Sequence, residues 1–303
     1  MTDVETQIER LLAEGKSDEA LELAGAQYTD WLSSGRLAEG RACLRRALDA
    51  SDAATSARAT ALLGAGMLEF RQGNDDEAGA LFEEALAVTR QIGDTAQQAR
   101  ALNSLSRVAL RQRDPARVLE LAREAWASYE RVGDPLGVAT SRHMTAAATR
   151  MTGDYAAAAE IYAENLRDAR ERGDNVFVSV ETLNLGYMKL HLGEVEAARP
   201  LVEESLRVSS AAGDAYVVPY SLLGNASLAL AEGDAERGAT LLAAAKAAFD
   251  AGGFAIDPGS DEEFEQGVAD ARAALGDRFD EAWQAGAALP TAQAVALALT
   301  RVP

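Results

Sequence analysis

A two-residue turn, most often glycine followed by an acid, recurs along this chain every 40 residues. Gly93-Asp94, Gly133-Asp134, Gly173-Asp174 and Gly213-Asp214 form one series. A second runs halfway between them through Gly73-Asn74, Arg113-Asp114, Gly153-Asp154, Gly193-Glu194 and Gly233-Asp234. Two interleaved series at one period mean two helices per repeat, stacked so that each unit packs on its neighbours, an all-α solenoid of helix pairs. Such an array binds something more often than it transforms it.

Each repeat resolves into a pair of helices. In the unit from Thr95 to Asp134 the spacing predicts a first helix over about Thr95–Gln112 and a second over about Pro115–Val132, with Pro115 suited to the first helical turn. Each glycine supplies the left-handed residue that ends a helix, and the Asp, Asn or Glu after it is placed to cap the next. Arg113 stands once where the glycine belongs and predicts a strained turn. Pro200 and Pro219 fall inside predicted helices and are expected to kink them or delay their starts.

The residues around the mid-repeat turn carry a family resemblance. Gly73 is followed at five, nine and thirteen positions by Ala78, Phe82 and Leu86, Gly153 by Ala158, Tyr162 and Leu166, and Gly193 by Ala198, Val202 and Leu206. Seven before each turn lies a small residue: Gly66, Ser106, Ala146, Gly186 and Ala226. Small residues let paired helices approach, and the larger ones fill the space above and below. The pattern resembles the tetratricopeptide repeat in a long-helix form, most closely at Leu185-Gly186 before Gly193 and at Gly153-Asp154-Tyr155-Ala156-Ala157-Ala158. A HEAT-type array has a similar period but leaves the offsets around the glycine unexplained. The resemblance implies a right-handed superhelix of helix pairs.

Boundaries follow from where the pattern loosens. Residues 1–54 read as capping helices and an irregular first repeat, 55–254 as five 40-residue repeats, and 255–303 as C-terminal capping helices. The N-terminal helices are expected to about Glu14, over Asp18–Ser33 and over Leu37–Ala50. The C-terminal ones are expected over Asp261–Leu275, Arg278–Ala285 and Pro290–Leu299. The tail, with Ala271-Arg272-Ala273-Ala274-Leu275-Gly276, Phe279, Ala282-Trp283, Gly286 and Leu289, resembles the end of the helical-repeat region in large actinobacterial ATP-dependent transcriptional regulators. Neither a G-x-x-x-x-G-K-[ST] loop nor a basic recognition helix is present in the sequence.

Composition excludes several classes. A 48% hydrophobic fraction in 303 residues is too apolar for disorder. No stretch approaches the roughly 20 apolar residues that span a bilayer, and Met1-Thr2-Asp3-Val4-Glu5 lacks the features of a secretory leader. The single cysteine, Cys43, is expected in a buried helical position, and a reducing cytoplasm suits it. A net charge of −19 opposes direct binding to nucleic acid or to an anionic membrane surface. Three lysines among the 29 basic residues, with abundant alanine, fit a GC-rich bacterial genome.

The resemblance also assigns the inner, concave surface to the first helix of each repeat, through its second, sixth, ninth, thirteenth, sixteenth and seventeenth positions. Over five helices these 30 positions hold no Asp or Glu, where the chain-wide share of 48 in 303 would put about five. They hold both histidines, five arginines and three tyrosines. The candidate contact set is Arg71, Arg100, Asn103, Arg107, Arg111, His143, Arg150, Tyr187, His191 and Tyr220. Arginine reads carboxylate or phosphate with a planar fork, and tyrosine offers an apolar face with a polar tip. The expected partner is a protein, a peptide or an anionic small molecule whose apolar portion faces the Leu and Tyr half of the groove. The competing explanation is structural, with the arginines paired to acids on adjacent columns such as Glu69 or Glu120, and with His143 and His191 as packing residues. Lys/Asn/Arg clamps in relatives that bind peptide C-termini find a partial counterpart in Asn103 with Arg100 and Arg107. The effector-sensing part of a transcriptional regulator is the alternative function. A third class, acid-base chemistry on a small substrate by His143, His191, Tyr187 and the arginines, lacks a nucleophile elbow, a phosphate loop and a metal-ligand pattern. The expectation is a non-catalytic binding protein with no cofactor and no metal.

Overall fold

The computed structural model describes residues 3–257 and 259–300. Among these every regular element is helical, as the repeat predicts, and no helix is long and apolar enough to cross a membrane. The chain forms two compact units, Met1–Ala148 and Thr149–Pro303. The break falls inside a helix, whereas the sequence boundaries at 54/55 and 254/255 fall in irregular segments.

Unit 1 contains α1 (Asp3–Ala13), α2 (Ser17–Ser33), α3 (Leu37–Asp49), α4 (Ser56–Arg71), α5 (Asp75–Ile92), α6 (Thr95–Arg111), α7 (Pro115–Val132) and most of α8 (Pro135–Met151). Within it α4 pairs with α5 and α6 with α7, and α5 packs on α6. Unit 2 continues with α9 (Tyr155–Arg172), α10 (Asn175–His191), α11 (Val195–Ala211), α12 (Val217–Ala231) and α13 (Ala235–Gly252). It closes with α14 (Ser260–Leu275), a 3₁₀ turn at Gly276–Arg278, α15 (Phe279–Ala287) and α16 (Thr291–Leu299). The predicted helix limits agree to within about two residues, the usual spread of helix ends. Pro258 and the terminal residues 1–2 and 301–303, which the sequence boundaries include, lie outside the described residues.

The turn chemistry acts as the repeat predicts, with one refinement. Asp94, Asp114, Asp154, Asp174 and Asp234 each accept a hydrogen bond from the backbone N–H three residues on. Asn74 and Glu194 do not cap. The Asn74 amide donates to Glu69 at 2.7 Å, and the longer Glu194 side chain reaches Lys189 at 2.7 Å. Arg113 takes the left-handed backbone with φ 59°, the one described non-glycine residue to do so. Pro219 delays its helix: Asp214 and Tyr216 precede α12, which begins at Val217. Pro200 lies inside α11.

The small residues before each turn do what their spacing implies. A Cβ on Gly66 would lie 2.5 Å from the Phe82 ring, and one on Gly186 would lie 2.6 Å from Val202. The partners are the apolar residues nine after the turn, so the two offsets are the two sides of one helix–helix contact. Cys43 is buried as expected, and burial pushes its thiol pKa up. At the C-terminal end α15 lies against α13 so closely that a Cβ on Gly286 would meet the Thr240 carbonyl oxygen at 2.1 Å.

Candidate functional site

In unit 1 the helix α6 brings Arg100, Asn103 and Arg107 onto one face at i, i+3 and i+7. Arg100 is exposed and Arg107 half-buried. Neither bonds a carboxylate among the described residues, and both charges act on the Tyr129 hydroxyl. Asn103 is 6% exposed, and its side-chain oxygen is buried without a hydrogen-bond partner. A buried amide oxygen left unsatisfied costs about 1–3 kcal/mol, so this atom is primed to accept a donor. Tyr129 comes from α7, its ring filling the space that Gly137 of α8 leaves open, where a Cβ would approach to 2.1 Å. Burial and Asp134 push its hydroxyl up against the pull of the two arginines, to about 12.

The other sequence-predicted residues of unit 1 divide. Arg111 is tied into the fold rather than offered to solvent. It bonds Asp75 at 2.8 Å and the Phe70 carbonyl at 2.6 Å, and lies 3.7 Å over the Phe70 ring. Its side chain is 10% exposed. This corrects the expected ligand contact: the guanidinium joins α6 to α4 and α5. Arg71 is half-buried at the end of α4, and His143 half-buried in α8. The acids proposed as alternative partners pair elsewhere too, Glu69 with Arg41 at 2.6 Å and Glu120 with Arg117 at 2.8 Å.

In unit 2 the predicted residues come together around the chain's own C-terminal segment. Arg150 donates to the Gly259 carbonyl and to Glu263 Oε1, both at 2.8 Å. His191 Nε2 lies 2.6 Å from the same Oε1, and its ring stacks on Tyr155 with centroids 4.2 Å apart. Burial alone would raise the Glu263 pKa, but the His191 bond and the Arg150 charge outweigh it and hold the carboxyl below its ordinary value. Tyr216 donates to Asp257 Oδ2 at 2.5 Å, and Tyr220 accepts the Asp257 backbone N–H at 3.0 Å. Tyr187 is fully buried beneath Arg150, whose guanidinium stands 5.4 Å from its ring. Desolvation raises its hydroxyl pKa well above the usual range.

These positions correct the expected apolar half of the groove. Leu183, Tyr187, Tyr220 and Leu223 are core residues, and α14 packs across α12. Linear spacing cannot show that a helix some 40 residues downstream covers a column. It also misses Tyr129, Tyr155, Asp257 and Glu263, of which only Glu263 lies in an acidic run, Asp261-Glu262-Glu263. A pocket of about 280 Å³ on unit 1, between α5, α6 and α7 with Asp75, Asp76 and Glu83 at its rim, was likewise not foreseen. No three His, Cys, Asp or Glu side chains among the described residues are grouped to hold a metal ion.

Comparison with known proteins places this geometry. Residues 57–131 match the tetratricopeptide repeat family, and residues 143–229 match the family of anaphase-promoting complex subunit 5. Both end before the tail whose likeness to actinobacterial regulators therefore stays an expectation. No curated protein sequence matches the chain. Among solved structures, a Rap protein complexed with competence and sporulation factor superposes with a TM-score of 0.63 at 15% identity, covering 97% of this chain and 96% of that one. NprR in complex with its cognate peptide NprX gives 0.63 at 14% identity, covering 94% and 77%. BtubC from P. vanneervenii gives 0.55 at 18% identity, covering 71% and 94%. At these identities the likeness is one of fold. With repeat spacing, cap chemistry and helix pairing in agreement, residues 57–131 are tetratricopeptide repeats and the chain has a tetratricopeptide-like fold.

Proposed function

We propose that this chain is a non-catalytic peptide-binding protein that holds an acid-bearing segment on the α6 face of unit 1. The observation that carries this is Asn103, a buried amide with an unsatisfied oxygen, flanked on one helix face by two arginines without carboxylate partners among the described residues. A peptide backbone N–H satisfies Asn103, while the two guanidinium groups read a side-chain or terminal carboxylate. The Rap protein and NprR structures, which share the fold, are complexes with competence and sporulation factor and with the cognate peptide NprX, and this supports a peptide over a small molecule. The acidic exterior disfavours anions elsewhere on the surface.

The test is a synthetic peptide library displayed with free or amidated C-termini, probed with wild type, Asn103→Ala and an Arg100→Glu, Arg107→Glu double variant. Wild type is expected to retain acid-bearing peptides. Loss of one hydrogen bond at Asn103 weakens them about tenfold, and charge reversal abolishes them. An identical retained set for wild type and the double variant would sink the proposal.

A further inference from the structure

In unit 2 the polar residues of the first-helix face bond the segment that leads from α13 into α14. The segment from Phe254 to Glu263 presents two carboxylates, a backbone N–H and two backbone carbonyls, and each has a specific receiver. Glu263 sits between Arg150 and His191. Asp257 takes the Tyr216 hydroxyl through its side chain and gives its N–H to Tyr220. Arg150 also holds the Gly259 carbonyl, and Tyr220 faces the Ala255 carbonyl at 3.4 Å. Gly259 has φ 82°, and a Cβ there would already stand 3.3 Å from the Arg150 guanidinium, so the close approach and the backbone twist both favour glycine. The Phe254 ring meets Tyr216 edge-on.

Reading main-chain groups and acid side chains together is how a protein recognises a peptide, and a cap that only excluded water from the core would not need it. The groups that do the reading are packed against other side chains. His191 is clamped by Tyr155, and Arg150 rests over Tyr187 with a side chain only 12% exposed. We infer that this face of unit 2 is a second binding site, specific for an acidic peptide that enters without regular structure and ends in a helical turn, which residues 254–257 and 259–263 occupy in cis and from which a peptide in trans displaces them. The site is independent of the α6 row, shares no residue with it and stands or falls separately.

A tethered occupant competes at an effective concentration on the order of millimolar. Binding in trans is therefore weakened by the fraction of molecules in which the segment is released. The probe is a fluorescein-labelled synthetic peptide with the sequence of residues 253–264, added to the full chain, and the variant is Asp257→Asn, Glu263→Gln. Removing the two charge-assisted contacts while keeping the shape is expected to tighten the probe at least about tenfold and to speed backbone hydrogen exchange over 254–263. Adding Arg150→Gln to that variant is expected to abolish the gain. Faster exchange without tighter binding would show a cap rather than an occupant and overturn the inference. No change in either quantity would show that the carboxylates do not hold the segment, with the same result. Should the variant unfold, wild type with excess probe gives the answer: exchange over 254–263 rises if the site is shared, and unaltered exchange overturns the inference.

Discussion

Arg113 shows how a single residue departs from its sequence column at a measurable cost. Arg113 adopts φ 59° where every equivalent turn uses glycine. A left-handed L-residue costs about 1–2 kcal/mol, and glycine's extra chain entropy returns about 0.5–1 kcal/mol of that. Arg113→Gly is thus expected to stabilise unit 1 by up to about 1 kcal/mol, read as a raised thermal midpoint; a lowered one would mean the arginine side chain contributes more than its backbone costs. Tyr129 has its hydroxyl pKa raised to about 12 by burial. Because the folded value lies above the unfolded one, its contribution is complete below about pH 10 and is lost as pH rises through about 12. Tyr129→Phe should therefore flatten the fall in thermal midpoint over that window, and parallel curves for the two proteins would contradict this. At this scale the turn glycines and the buried Cys43 were legible in the sequence, since each depends only on local backbone geometry or helix periodicity. The fate of Arg111 was not legible, because its bonds to Phe70 and Asp75 lie more than 35 residues away along the chain.

Helices here are set by their ends and by one close contact per pair. Asp154 caps α9 through a bond to the Ala157 N–H, while Glu194, at the equivalent turn, makes no cap to α11. Asp154→Ala is expected to cost about 1 kcal/mol, and Glu194→Ala to stay within about 0.5 kcal/mol as a surface change. Chemical denaturation distinguishes them, and equal losses would show that the cap bond is not what separates the two turns. Gly66 beneath Phe82 and Gly186 beside Val202 explain why the offsets of minus seven and plus nine were readable as a pair. The repeat writes both sides of the contact into one 40-residue period. By contrast, the cover that α14 lays over α12 has no period, because the capping helices occur once.

At the scale of the whole molecule a strongly acidic chain, at −19, leaves Arg100 and Arg107 of α6 without a carboxylate partner among the described residues and, in unit 2, sets Arg150 and His191 on its own tail. Glu263 is the acid that ties the tail down, and its carboxyl is held below its ordinary pKa by His191 and Arg150 against the opposing effect of burial. A depressed folded value contributes stability above the ordinary carboxylate range and loses it as pH falls through the lowered value. The gap in thermal midpoint between wild type and Glu263→Gln should accordingly be wide at neutral pH and close on acidification below pH ~4.5. A gap that stays constant with pH would mean the carboxylate's charge is irrelevant to the docking. The sequence alone determined the all-α repeat, the positions of nearly all helices, the turn chemistry and the acid-free columns, because these follow from contacts within or between adjacent repeats. Only the tertiary structure decided which arginines of those columns are open and which are occupied. That depends on where a non-repeating tail comes to rest, and its resting place is set by long-range pairing of charges and hydroxyls that no local pattern encodes.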